Sequence, residues 1–195
     1  MKSFHFVIFI LLLAVSTVVG QTIDSKKPLK SIFEPAKNET IVFVSGIMTV
    51  AEETYREVYV VNEGRTTRWP STITQMVAYF KHPGKQKTAP NAVILAFNMG
   101  TYNNFRFTDF RDLVIKTDTE KFEMGPMNLT ERKNLGHGAF GTVQYWETLE
   151  LPVRIEEYQR IINSKKVSMQ IGEQVASLDE GQLKQLRDLA NKHLK

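Results

Sequence analysis

The stretch KVSMQIGEQVASLDEGQLKQLRDLANKHLK, residues 166–195, passes from strand periodicity to helix periodicity with no linker between them. Lys166 to Ile171 and Gln174 to Leu178 flank Gly172-Glu173. A two-residue connection with glycine first suits a tight hairpin, because glycine reaches the positive φ such turns require. Asp179 then stands where a helix cap belongs, and Gln182 at the third helical position can reach back to it. Leu178 and Leu183 are spaced as a hydrophobic staple across that cap. Leu183, Leu186, Leu189 and Ala190 form one apolar stripe. A hairpin feeding directly into an amphipathic helix predicts an α+β fold: an antiparallel β-sheet or sandwich with two short helices in the C-terminal third.

Working back toward the N-terminus, Ile155, Tyr158, Ile161 and Ile162 recur at helical spacing and end near Asn163-Ser164. Pro152 is placed as a first-turn proline of that helix. Thr142 to Leu151 alternates, with Val143, Tyr145, Leu149 and Leu151 on one face and Gln144, Trp146, Thr148 and Glu150 on the other. Glu147 interrupts the apolar face and is expected near its edge. Asp112–Lys116 and Lys121–Met124 flank a polar tetrapeptide, 117–120, as a hairpin would. Ala92–Phe97 is a continuous apolar run, the pattern of a strand buried on both faces. Ile73–Lys81, closed by a solvated loop at His82-Pro83-Gly84-Lys85, Glu57–Val61 and Thr40–Val50 complete the strands, with Gly46 marking a bulge or bend.

The first residues have the layout of a secretory signal peptide: Lys2, then an apolar run from Phe6 to Val19, then Gly20 before a polar segment. Cleavage is expected after Gly20, the alternative being an uncleaved membrane anchor, and no later segment is apolar enough to span a membrane. The domain reading is therefore 1–20 signal peptide, 21–39 linker or loosely ordered arm, and 40–195 one β-rich domain. Cysteine is absent. About 175 residues can bury a core without disulfides, and a cysteine-free exported chain points to a bacterial periplasmic or secreted setting. The 25 Lys and Arg against 21 Asp and Glu are interspersed along the chain. Nucleic-acid binders concentrate their positive charge on one face, so that partner class is not expected.

One stretch imitates a catalytic motif. In NLGHGAFGTV, residues 134–143, Gly136, Gly138, Gly141 and Val143 match the glycine-rich loop of protein kinases. That loop works only with a lysine on the next strand and acidic residues downstream. Between Gly141 and Lys165 there is no lysine, and only 54 residues follow Gly141. The glycines read instead as a connection between strands. The histidines after Gly20, His82, His137 and His193, lack metal-ligand spacing. Glu147 and Glu150 point to opposite faces of one strand, which is wrong for paired-carboxylate hydrolysis. No catalytic residue, metal or cofactor is expected. The aromatics Trp69, Tyr102 and Trp146 are the candidate ligand-binding residues, since exposed rings on a β scaffold stack on sugars.

Met76–Phe97, Phe105–Gly125 and Thr148–Leu189 together resemble, in layout and residue type, a recurrent pattern of uncharacterised bacterial exported β-rich proteins. That resemblance implies a similar fold and an envelope or extracellular setting, and carries no functional residues. The expected function is a non-catalytic binding or interaction module whose partner is an envelope or extracellular protein or a glycan. The alternatives are a carbohydrate-binding module and a hydrolase with an unrecognised carboxylate site.

Overall fold

The structure, a computed structural model, describes residues 29–49, 55–60, 65–70, 72–85, 90–102, 105, 107, 109–137, 143–172 and 174–194. The expected signal peptide, residues 1–20, lies outside the described residues. Among the described residues, twelve strands and two helices follow in the order β1 (Leu29–Glu34), β2 (Glu39–Thr49), β3 (Tyr55–Val60), β4 (Arg65–Pro70), β5 (Thr72–Pro83), β6 (Ala92–Tyr102), β7 (Asp112–Thr117), β8 (Lys121–Pro126), β9 (Asn128–His137), β10 (Val143–Arg154), α1 (Ile155–Asn163), β11 (Val167–Ile171), β12 (Gln174–Leu178) and α2 (Glu180–His193). The fold is α+β. An antiparallel six-stranded sheet runs β1-β2-β5-β6-β10-β9, a four-stranded sheet runs β12-β11-β7-β8, and β3 pairs with β4. Among the described residues no helix is long and apolar enough to cross a membrane.

The large sheet has an inner and an outer face. Val42, Val44, Met76, Ala78, Phe80, Val93, Leu95, Phe97, Met99, Leu149, Leu151 and Val153 point inward. There they join Leu113, Ile115, Val167, Met169 and Ile171 of the small sheet, and the buried stripes of both helices, in one core. The helices sit on this inner face, α1 against β6 and β10 and α2 against β1 and β2. The late amphipathic stripes are buried because the inner strand faces supply the matching apolar surface.

The α2 start is as its residues dictate. Asp179 accepts from the Gln182 amide at 2.8 Å and the Gln182 side chain accepts from the Asp179 amide at 2.7 Å. Arg187 then ties the helices together. Its Nε donates to the Ile162 carbonyl at 2.7 Å and its Nη2 to the Ser164 carbonyl at 3.1 Å, which satisfies orphan acceptors at the end of α1. Asp118, in the β7–β8 turn, accepts from the Lys165 and Lys166 amides at 2.9 and 3.3 Å and holds the chain as it leaves α1. Those amide donors keep its carboxyl below the usual range.

Several sequence expectations are corrected here. Residues 29–34, within the expected arm, form β1, paired with β2 from Leu29↔Val44 to Glu34↔Glu39. Edge pairing needs only one partner strand, so a weakly alternating segment can join it. Pro152 belongs to β10, opposite Ile94, and α1 starts after Arg154. The strand tolerates it because β9 stops pairing at Asn128↔Glu150, so nothing on that side needs the N–H that proline lacks. His82 is buried in β5, 5% exposed, beside the Phe80 ring, because β5 extends to Pro83. The register shift between Val44 and Ile47 is the bulge expected at Gly46.

The β11–β12 hairpin rests on Gly172, whose φ is 56° and where a Cβ would come within 3.2 Å of the Phe110 carbonyl oxygen. Gly172→Ala is expected to lower stability by about 2 kcal/mol in a urea titration, combining left-handed strain with that contact. A loss below ~0.5 kcal/mol would show that the turn relaxes freely.

Candidate functional site

The outer face of the large sheet is divided into an apolar part and a polar part. Ile41, Phe43, Val77, Tyr79 and Ala96 form a second buried cluster, with Ile94 against it. Tyr79 borders the polar part: its hydroxyl donates to Glu150 Oε1 at 3.0 Å. Burial, reinforced by that carboxylate, pushes the Tyr79 phenol far up, so it stays a donor at any ordinary pH.

Next along the strands, register places Gln75 opposite Asn98, Asn98 opposite Thr148, and Thr148 opposite Glu131. This polar row crosses β5, β6, β10 and β9. The Thr148 hydroxyl donates to Asn98 Oδ1 at 3.0 Å, which confirms that the row shares a face. One step further, Trp146 lies opposite Gly100 and Lys133. Its ring carbons Cε3 and Cζ3 are 3.4 Å from where a Gly100 Cβ would stand. Glycine at 100 therefore leaves room for that edge of the indole. Lys133 is engaged by Glu131 in an ion pair.

Three buried polar atoms on this face have no hydrogen-bond partner: Gln75 Oε1, Glu131 Oε2 and Trp146 Nε1. Gln75 as a whole is 7% exposed. Buried polar groups are paired in the great majority of cases, so three on one face single that face out.

Comparisons of the chain with family models, curated proteins and solved structures give no match. The layout resemblance to bacterial exported proteins thus rests on the stretches already quoted, and the site has to be understood from its own residues.

Of the three aromatics singled out from sequence, Trp146 is central to the polar part. Tyr102 ends β6, two residues beyond Gly100, and its backbone pairs with Gln144. Trp69 lies in β4 opposite Arg56. Thr72, which pairs with Thr101, is three Cα steps further on, so the Trp69 Cα lies within about 11 Å of that end of the sheet. The three positions thus converge on one end of β5, β6 and β10. Sequence reasoning passed over Gln75, Asn98, Thr148 and Glu131. Their signal was polar residues on the outer side of otherwise apolar strands, and it becomes visible only with register.

The remaining candidates separate. Glu147 is fully buried on the inner face, not at an edge, and accepts from Arg132 Nη2 at 2.8 Å and from the Phe107 amide at 3.2 Å. Glu150 is on the outer face, so the two carboxylates do lie on opposite sides. Gly136 and His137 end β9, and Val143, opposite His137, starts β10. Gly138 and Gly141 lie outside the described residues. Among the described residues no group of three His, Asp or Glu is placed to hold a metal.

Proposed function

We propose that this chain is an exported, non-catalytic binding module of the bacterial envelope or extracellular space, and that it engages its ligand on the outer face of the six-stranded sheet. The observation that carries this reading is the coincidence of Trp146, whose ring edge meets β6 at Gly100, with three unpartnered buried polar atoms. The two carboxylates brought to neighbouring strands on this face, Glu131 and Glu150, already serve Lys133 and Tyr79. That occupation favours binding over hydrolysis. The apolar run at 6–19 and the absence of cysteine support export.

The test uses 15N-labelled protein recovered after export, with Gln21 expected as its first residue by mass spectrometry. Titration with solubilised envelope extract, fractionated into glycan and peptide pools, should shift the Trp146 indole N–H and the Gln75 and Asn98 side-chain amides together. Shifts confined to other surfaces, or turnover of an extract component, would defeat the reading.

A further inference from the structure

We infer that the free edge of β12 is a self-association site, where a second copy of this chain adds its own β12 antiparallel and joins the two small sheets into one. This surface belongs to the four-stranded sheet and is independent of the outer face of the large one. Charge singles it out. β1, LKSIFE, β8, KFEMGP, and β9, NLTERKNLGH, are edge strands with at least two charged residues each. So are β3, YREVYV, and β4, RTTRWP, which have only each other as partners. Charge and proline on an edge keep another strand from pairing with it. β12, QVASL, has neither.

The strand is also open. It pairs with β11 on one side, and although it nears β2, no ladder joins the two among the described residues. Val175 is one of the large apolar side chains left exposed, at 38%, and Ser177 is exposed beside it.

Register fixes which backbone groups are free. Ile171 opposes Gln174 across the two-residue turn, and Met169↔Ala176 and Val167↔Leu178 follow at every second step. Directly opposed antiparallel pairs alternate between exchanging both backbone bonds and exchanging none, and the pair that closes a two-residue turn is of the first kind. Gln174, Ala176 and Leu178 therefore direct their amides and carbonyls to β11. Val175 and Ser177 turn theirs outward, two donors and two acceptors.

That set is its own complement. A two-fold axis through Ala176 places Val175 against Ser177 of the second copy, and Ser177 against its Val175, and closes four hydrogen bonds. Each of these side chains is neutral, so a charged foreign strand would find no counter-charge here, whereas a second β12 brings none. The strip is five residues long. It falls well short of the about 800 Å² per partner of a standard interface, so the dimer is weak, half-formed at a chain concentration of about 0.1 mM.

The closing experiment uses the exported protein in sedimentation equilibrium from about 10 μM to 1 mM, with amide hydrogen exchange of the 15N-labelled chain at both ends of that range. A monomer–dimer equilibrium is expected. Exchange at the Val175 and Ser177 amides should slow about threefold or more at the higher concentration, by mass action, while the Gln174 and Ala176 amides, already bonded to β11, stay unchanged. Val175→Lys/Ser177→Lys places like charges opposite each other across the axis, and Val175→Glu/Ser177→Glu does the same. Each variant alone should be monomeric at 1 mM with the parent's unfolding midpoint, and an equal mixture of the two should dimerise again. The exchange measurement on the unmutated chain carries the test if either variant does not fold. A chain that stays monomeric at 1 mM overturns the inference. So does a dimer that leaves the β12 amides unchanged, or a folded lysine variant that dimerises as well as the parent. Slowing of these amides only when a peptide from envelope extract is added would assign the edge to another chain, and the second-copy assignment would fall.

Discussion

Arg132→Met is expected to lower the free energy of unfolding by about 3 kcal/mol, measured by urea denaturation followed by circular dichroism. The size of the effect comes from what is left behind. Glu147 is 0% exposed, and its Oε1 takes two donors from Arg132, Nε at 3.2 Å and Nη2 at 2.8 Å. Without the guanidinium, a carboxylate stays inside the sheet, with the Phe107 amide still donating to it. Removing one member of a buried pair leaves an uncompensated charge and costs about 3–5 kcal/mol, and Arg132, 30% exposed at its side chain, puts this case at the lower end. The same side chain also covers the Phe105 ring at 4.6 Å, and Phe105 meets Tyr145 edge-on at 4.7 Å. The clamp therefore holds Phe105 and Phe107 onto β10, on the side opposite Trp146. The double variant Arg132→Met/Glu147→Leu should recover at least half of the loss, because no charge is then buried, but not all of it, since the Phe107 N–H loses its acceptor. If the single variant unfolds within ~0.5 kcal/mol of the parent, water reaches Glu147 and the pair is not the anchor described here.

How well residues announced their elements depended on what each segment had to bury. The region 166–193 was legible because every signal in it is local: the Asp179 cap, the leucine stripe and the glycine turn need no knowledge of distant partners. β5, β6 and β10 were legible from apolar runs or alternation. β9, NLTERKNLGH, was not. It is an edge strand whose outer side carries Glu131 and Lys133, and whose inner side offers Leu129 and then the Arg132 clamp, so period-two hydrophobicity never appears. β4, RTTRWP, fails for the same reason, having one partner and little apolar content. The candidate site was half legible. The face that Trp146 shares with Thr148 and Glu150 follows from alternation along 142–151. The polar row could not be, because it is assembled from four strands, and a register shift of one residue would send each member to the other side of the sheet.

The largest single loss of stability is expected at Tyr158, where α1, α2 and the large sheet meet. Tyr158→Ala should cost about 4 kcal/mol, and Tyr158→Phe about 1 kcal/mol. The side chain is 1% exposed, and burial alone pushes its phenol far above the ordinary range, so the hydroxyl is a neutral donor. It donates to the Leu186 carbonyl at 3.2 Å, crossing from one helix to the other. Alanine removes the ring and leaves a cavity bounded by the core that Tyr158 shares with Leu183, Leu186 and Leu189. Phenylalanine keeps the packing and removes only the hydroxyl. The Leu186 carbonyl then loses an additional acceptor contact, which explains the smaller figure. The ratio of the two losses carries the argument. If packing of the helices onto the inner face holds the molecule together, without metal or disulfide, the alanine variant must be several-fold worse than phenylalanine. Equal losses would mean that the interhelical hydrogen bond, and not apolar burial, joins α1 to α2. A small loss for both would mean that the helices contribute little to the stability of the sheet that carries Trp146, Gln75 and Asn98.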